Sequence, residues 1–140
     1  MIYNVNDENL KDVTNFLNKV ATIADVDIDI VKNAMIVKEE DEIIGILSFE
    51  KFGKFALIRY FVFKRAIKED VVLDLINEVA SKARVQGVSS FLTLVVKDDL
   101  IELFKGLGFT EINKQDIFID EDILADSKYG NSTVLKLELL

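Results

Sequence analysis

The sequence predicts an α/β protein of the α+β type, with a mixed, mainly antiparallel central sheet, one parallel strand–helix–strand unit and helices on both faces. Two observations predict this fold class. Apolar runs of strand length alternate with segments of helical periodicity, and the unit from Phe55 to Val96 joins two such runs through an amphipathic segment. A unit of this kind is almost always parallel and right-handed. Hairpins flank it, and they supply the antiparallel pairs.

The beginning of the chain predicts one strand followed by two helices. Met1–Val5 has the pattern of a short strand, and Asn6 or Asp7 can cap the helix after it. The apolar positions of that helix share one face: Leu10, Val13, Leu17 and Val20. A second short helix or turn spans Val26–Val31.

A hairpin and an interior strand follow. Ala34–Val37 and Ile43–Phe49 are β-type runs joined by the acidic tip Glu39–Glu42, which suits a hairpin loop in water. Gly53 marks the next turn. Phe55–Phe63 is almost wholly apolar, as expected of an interior strand that is covered on both faces.

A crossover helix and a second apolar strand complete the parallel unit. Apolar residues recur at helical spacing over Asp70–Gln86, and Gly87 is placed to end this helix. Val88–Val96 is the strand that follows it. The remaining elements are one helix and two strands: Asp98–Leu107, Phe109–Ile119 and Val134–Leu140.

Composition predicts a single domain over residues 1–140 and excludes several kinds of site. A chain of 140 residues with 50% hydrophobic content is long enough for one sizeable core. It contains no Cys and no His, so it lacks a thiolate nucleophile and the commonest zinc ligand. The net charge of -8 argues against nucleic acid and against an anionic membrane surface as partners. The amino-terminal segment lacks the pattern of a signal peptide, which predicts a cytoplasmic protein.

Two acidic segments are candidate metal sites, and neither has the pattern that a metal site requires. Glu39–Glu42 lacks the alternating Asp, Asn and Gly spacing of a calcium loop, and Asp116–Asp122 lacks the glycine. We therefore expect no metal site in this chain.

The stretch "FVFKRAIKEDVVLDLI", Phe61–Ile76, is the candidate ligand site, because ligands of such sheets lie beyond the carboxyl end of a parallel strand. It holds the densest cation group of an acidic chain: Lys64, Arg65 and Lys68. These cations can hold an anion. They can also cover the strand end and pair with Glu69 and Asp70, and this second hypothesis is favoured because charge runs at element ends are ordinary.

The element order, together with "QGVSSFLTLVV" and "LIELFKGLGF", resembles the GNAT superfamily of N-acetyltransferases, most specifically over Val62–Phe109. The family carries a motif of Arg or Gln, then x-x-Gly-x-Gly or Ala, whose backbone amides hold the coenzyme A pyrophosphate. Counted back from Gly87, the motif falls on Ile67–Val72. The resemblance implies these cofactor-binding positions: Val62, Lys64, Arg65, Lys68, Glu69, Asp70, Val71, Val72, Lys97 and Phe104.

The sequence departs from the family pattern at each of these motifs. Ile67–Val72 contains no glycine, and its valines place branched side chains where backbone would approach phosphate. Asp70 adds a negative charge at the helix start and is predicted to be its cap. Lys97 stands where the family has an Asn, and Phe104 stands where it has the Tyr that acts as general acid. The strand "FALIRYFVF" has no carboxylate in the place of the family's base.

Two residues are candidates for catalysis in place of the missing ones. Tyr60 offers a hydroxyl near the expected cleft, although a strand Tyr is more often a packing residue with one hydrogen bond. Glu50 can act as a base through water, or it can be a surface charge that balances Lys51 and Lys54.

Two functions remain open at this point. The resemblance implies an acyltransferase that moves an acetyl group from acetyl-coenzyme A to the amine of a small molecule or peptide. The missing motif residues favour the alternative, a non-catalytic protein of the same fold that senses a ligand or binds a partner. The transferase is ranked first by a narrow margin.

Overall fold

The computed structural model describes residues 1–95, 98–113, 118–119, 122–123 and 133–139. The helices are α1 (Leu10–Val20), α2 (Ile28–Val31), α3 (Glu69–Val85) and α4 (Asp98–Gly106). The strands are β1 (Ile2–Asn4), β2 (Met35–Glu39), β3 (Glu42–Phe52), β4 (Phe55–Phe63), β5 (Ser90–Val95), β6 (Thr110–Ile112), β7 (Phe118–Ile119), β8 (Asp122–Ile123) and β9 (Thr133–Glu138).

Seven strands form one mixed sheet, and β7 pairs with β8 in a separate two-stranded sheet. The strand order in the large sheet is β1-β2-β3-β4-β5-β9-β6. β4 and β5 are parallel, whereas β2 pairs with β1 and β3, and β9 with β5 and β6, in antiparallel registers. The helix α3 connects the two parallel strands. The predicted fold class is therefore confirmed.

The chain divides into two compact units, of which the first contains Met1–Glu50 and Ile58–Gln86. Here Ile36 of β2 packs in a core cluster with Val13 of α1, whereas its neighbour Val37 lines a depression together with Val71 of α3. Because successive side chains of a strand point to opposite faces, α1 and α3 cover opposite faces of this part of the sheet.

The helix α3 is held against the rest of the first unit by an apolar face and by one half-buried lysine. The buried residues of this face are Leu75, Ile76, Val79, Ala80 and Ala83. Lys82 Nζ donates a hydrogen bond of 3.0 Å to the carbonyl oxygen of Ala34, just before β2. Burial lowers the pKa of the Lys82 ammonium, because the interior solvates a charge poorly.

The second compact unit contains Lys51–Leu57 and Gly87–Leu140. Its core cluster is formed by Leu57 of β4, Leu92 of β5 and Val134 of β9. Gly87 and Gly108 have φ angles of 86° and 101°, so each takes the left-handed conformation that the predicted helix-ending glycines require.

Two strand predictions are wrong in detail. β4 is not covered along its whole length: Ala56 and Leu57 are buried, whereas Ile58–Phe63 is half-buried. The reason is that the ladder to β5 runs only over Phe55–Leu57. The single strand predicted for Phe109–Ile119 is two strands, because β6 pairs with β9 and β7 pairs with β8.

Neither a membrane-spanning helix nor an acidic metal site is found among the described residues. None of its helices is both long and apolar enough to cross a membrane. The same residues contain no group of three or more acidic side chains that could hold a metal ion. The acidic segment Asp116–Asp122, which lacks the glycine of a calcium loop, lies largely outside the described residues.

Two predictions stay predictions: the single domain, and the location of the protein in the cytoplasm. The sequence predicts one domain over residues 1–140, and the structure contains two compact units.

Candidate functional site

The candidate site is the turn between the end of β4 and the start of α3, within the first unit. The Lys64 N–H donates a hydrogen bond of 2.8 Å to the carbonyl oxygen of Ile44, which fixes the end of β4 against β3. The backbone is still extended at Lys68, with φ -61° and ψ 141°, and the helix begins at Glu69. The strand-turn-helix order predicted for this stretch is confirmed.

Two of the three cations of this turn pair with the acidic tip of the β2–β3 hairpin. Lys64 Nζ contacts a carboxylate oxygen of Glu42, and Arg65 Nη2 lies 3.1 Å from Glu39 Oε2. The pairing with the acids at the start of α3, which the sequence favoured, is wrong: in the described part of the chain the partners come from the hairpin. The hydrogen bond and the charge of Lys64 hold the pKa of Glu42 below its ordinary value.

The Lys68 ammonium and the backbone N–H groups of Glu69 and Asp70 have no such partner among the described residues. Within the described residues, no carboxylate lies within 4.0 Å of Lys68 Nζ. The amides of Val71 and Val72 donate to the carbonyl oxygen of Lys68, at 3.1 and 3.2 Å. The N–H groups of Glu69 and Asp70 have no acceptor among the described residues, as expected for the first turn of a helix.

Asp70 lies in the first turn of α3 and is not its N-cap. The N-cap residue is Lys68, which forms no capping hydrogen bond through its side chain. Asp70 Oδ1 accepts a hydrogen bond of 2.9 Å from the Val71 N–H. The predicted cap position is wrong because the helix begins one residue earlier, at Glu69. The carboxylate still stabilises the positive end of the helix, and it opposes an anion there.

A depression of about 380 Å³ lies beside the turn. Arg65 and Lys68 line it, as does Glu39 of the hairpin. Its apolar wall is formed by Met1, Val37, Ile44, Ala66, Ile67 and Val71. Lys38 of β2 lines it as well, so the depression offers apolar surface and three cationic side chains in one place.

Tyr60 has a strained backbone, with φ at 51° in the middle of β4. A left-handed residue other than glycine costs on the order of 1–3 kcal/mol, so the surrounding structure must impose it. The Tyr60 hydroxyl oxygen accepts a hydrogen bond of 2.9 Å from the Asp27 N–H. Its own hydrogen has no acceptor among the described residues, which leaves a proton that the hydroxyl can donate.

Glu50, the candidate base, forms an ion pair with Arg59. Glu50 Oε1 lies 2.5 Å from Arg59 Nη1, and the guanidinium also lies over the ring of Tyr60, at 5.6 Å from its centroid. The structure therefore joins Glu50, Arg59 and Tyr60 in one chain of contacts. The Glu50 carboxylate is therefore paired with a cation.

This chain resembles known proteins in structure and not in sequence. No protein-family model and no curated protein matches the sequence. Among solved structures, N-acetylglutamate synthase from Neisseria gonorrhoeae, complexed with coenzyme A and L-arginine, superposes with a TM-score of 0.76 and 15% identity over 99% of this chain. This chain has the GNAT fold. It spans about a third of that synthase, 33% of its length.

Other GNAT structures match along most of their own length. Rv2747 from Mycobacterium tuberculosis, in complex with CoA and NLQ, has a TM-score of 0.72 and 15% identity, with 100% of this chain and 99% of that chain covered. The GNAT domain of the S. lividans protein PAT has a TM-score of 0.70 and 15% identity, with 99% and 89% covered. These matches confirm the predicted resemblance at the level of the fold.

Phe104, a GNAT position that comes later in the chain, lies in the second unit. Phe104, at the place of the family's Tyr, is 6% exposed and packs edge-on against Phe109 with ring centroids 5.2 Å apart. A phenyl ring has no proton to give to a leaving group. Lys97, at the place of the family's Asn, lies outside the described residues. In the first unit, Val62 packs against the core cluster under α1.

Sequence reasoning missed the partners of Lys64 and Arg65, although a signal for them was present. Gly53 and the residue after it form a tight turn, and Gly53 has a φ of 66°. A hairpin closed there places Lys64 beside Ile44, and thus close to the acidic tip. The strain at Tyr60 had no comparable signal.

Proposed function

We propose that this protein is an N-acyltransferase of the GNAT superfamily, which transfers an acetyl group from acetyl-coenzyme A to an amine of a small molecule or peptide. The observation that carries the proposal is the turn before α3, where Lys68 and the free amides of Glu69 and Asp70 lie together. The proposal is supported by the GNAT fold, which this chain shares with proteins whose structures contain coenzyme A.

The donors at this turn fit one phosphate group of coenzyme A, and the Asp70 carboxylate in the same helical turn lowers the affinity for it. Two backbone N–H groups and one ammonium can each donate a hydrogen bond to a phosphate oxygen, at the positive end of a helix. Lys68 and the amides of Glu69 and Asp70 would hold it. The other two cations are engaged by the hairpin, so we expect weak binding that depends on side-chain charge.

Acetyl-coenzyme A would supply the acetyl group as a thioester when bound. The chain itself contributes two things to the reaction. It orients the reactants, which can lower the activation barrier by several kcal/mol, and it supplies one proton. We assign that proton to the Tyr60 hydroxyl, because Phe104 has none and the Tyr60 oxygen is held by the Asp27 N–H. Transfer forms the N–C bond and breaks the C–S bond, and the sulfur takes the hydroxyl proton as it leaves. The proton that the amine nitrogen loses returns through water to the Tyr60 oxygen, which restores the hydroxyl.

We expect Lys68→Ala to weaken coenzyme A binding about tenfold, or ~1.4 kcal/mol, because it removes the ammonium that faces the phosphate. Calorimetry with coenzyme A measures the change. Lys64→Ala is the matched control: it removes the same charge, but from a side chain already paired with Glu42, so its effect should be smaller. Binding should also weaken with salt, since exposed charges are screened over ~8 Å at physiological ionic strength.

Equal losses in the two lysine variants would show that only the overall charge matters. The absence of measurable coenzyme A binding in the native protein would contradict the proposed function.

We expect Tyr60→Phe to lower the rate of acetyl transfer ~10²-fold or more, because it removes the hydroxyl proton. Release of the coenzyme A thiol from acetyl-coenzyme A, in the presence of a panel of primary amines, measures the rate. Coenzyme A affinity should stay unchanged, which separates a chemical role from a binding role. Tyr3→Phe, at an exposed tyrosine, is the control.

A second function is supported by one observation, the buried phenyl ring of Phe104 where GNAT enzymes carry an acid. In that case the protein binds coenzyme A as a non-catalytic sensor or partner-binding protein. Coenzyme A binding without thiol release for any amine, in the native protein and in Tyr60→Phe alike, would favour this function.

A further inference from the structure

The acidic tip of the β2–β3 hairpin consists of Glu39, Glu40, Asp41 and Glu42. Glu40 and Asp41 form the turn and have left-handed φ angles of 52° and 65°. Their conformation matches the two-residue turns that suit the twist of a hairpin. The turn thus places Glu39 and Glu42 side by side at the ends of their strands, where they form a cross-strand pair.

Like charges directly opposite each other on two strands repel, so this pair is not explained by the hairpin alone. It is explained by the cations that face it. Glu42 contacts Lys64, and Glu39 lies 3.1 Å from Arg65. Each acid of the pair is therefore neutralised by one cation from the turn after β4.

We propose that Glu39 and Glu42 form an autoinhibitory contact, in which the hairpin tip occupies the two cations that a phosphate ligand would otherwise bind. This inference rests on the proposed function, because the ligand is the phosphate-bearing one that the turn before α3 would take. Glu39 and Arg65 line the same depression as Lys68, so a ligand there competes with Glu39 for Arg65. Glu42 and Lys64 line a second depression, beside α1, where Glu42 holds Lys64.

The competition has a physical basis and a bounded size. A guanidinium or ammonium group that donates to a carboxylate must give up that bond before it can donate to a phosphate oxygen. The lost bond then subtracts from the affinity of the ligand. All four side chains are about half exposed, so each ion pair is weak. The contact therefore lowers the affinity for a phosphate ligand only modestly, and a highly charged ligand can displace the hairpin tip.

The test compares two double variants that remove the same charge from the hairpin. Glu39→Gln with Glu42→Gln releases Arg65 and Lys64. Glu40→Gln with Asp41→Asn removes two charges at the turn itself, where neither side chain pairs with a cation in the described part of the chain. The probes are coenzyme A and inorganic pyrophosphate, each titrated by calorimetry into the full chain.

Release of the cations should tighten the binding of both probes about fivefold, which corresponds to ~1 kcal/mol. The turn variant should change affinity by less than about twofold, since it alters only the screened long-range field. Urea denaturation should show that both variants are folded, and a crystal structure of the first variant should show Lys64 turned away from the hairpin.

Each result decides between the inference and the proposed function. If native protein binds coenzyme A and Glu39→Gln with Glu42→Gln binds it no better, the autoinhibitory contact is wrong and the proposed function stands. If coenzyme A binds neither form, the proposed function fails, and pyrophosphate then decides the inference: a gain on cation release supports it, and no gain overturns it. Equal gains in both double variants also overturn it, because net charge would then explain them.

Discussion

Leu75→Ala is expected to lower the free energy of unfolding by ~2–5 kcal/mol, because the truncated side chain leaves a cavity that its neighbours fill only in part. Leu75 is 0% exposed and lies on the face of α3 that packs against the first unit. Urea denaturation, followed by circular dichroism, measures the change through the transition midpoint.

Leu73→Ala is the matched control on the same helix. Leu73 is 37% exposed and lies two residues from Leu75, on another side of α3. The same chemical change should therefore cost much less there. A loss under half a kcal/mol for Leu75→Ala would show that this face of α3 is not core, and the packing of the helix described above would be wrong.

Gly45→Ala is expected to destabilise the protein by ~1–3 kcal/mol through overpacking. A Cβ atom at position 45 would lie 2.4 Å from Cδ1 and 2.5 Å from Cε1 of the Phe63 ring. Both distances are far shorter than a carbon contact of ~3.5–4.0 Å. The ring or the strand must therefore move. Because Phe63 directly precedes Lys64, this change should also disturb the candidate site and weaken coenzyme A binding.

Two further variants separate the clash from the general effect of replacing glycine. Gly106→Ala in α4 adds a Cβ atom with nothing within 4 Å, so it should be neutral or stabilising by up to ~1 kcal/mol. Phe63→Leu in the Gly45→Ala background should recover part of the lost stability, which a double-mutant cycle measures as a coupling energy. Additive effects at positions 45 and 63 would contradict the close contact.

Most elements of the fold were predictable because local signals for them agree. The apolar spacing after Asp70 gives α3 one buried face, and Gly87 ends the helix region in the left-handed conformation that glycine tolerates best. Glycine placement also predicted the turn at Gly53 and the end of α4 before Gly108, and both glycines have positive φ angles. Boundaries were less accurate, because a helix can begin one residue either side of a candidate cap such as Asp70.

The candidate site was predicted in part. Its place at the end of β4 follows from the strand-helix-strand order, and the cations Lys64, Arg65 and Lys68 are visible in the sequence. Their pairing was not predicted. Glu69 and Asp70 are nearer in sequence, yet Glu39 and Glu42 are nearer in space, because β3 returns alongside β4.

The sequence by itself determined most of the elements, the parallel unit and the residue types at the turn before α3, but not the division of Phe109–Ile119 into two strands. Periodicity and glycine placement are local properties, and they act within a few residues. Only the tertiary structure decided that the hairpin tip engages two of the three cations, that Phe63 packs on Gly45, and that Tyr60 is held in a left-handed conformation with its hydroxyl on Asp27. These contacts join residues that are distant in the chain, and the register of the sheet, which is a property of the whole fold, brings them together.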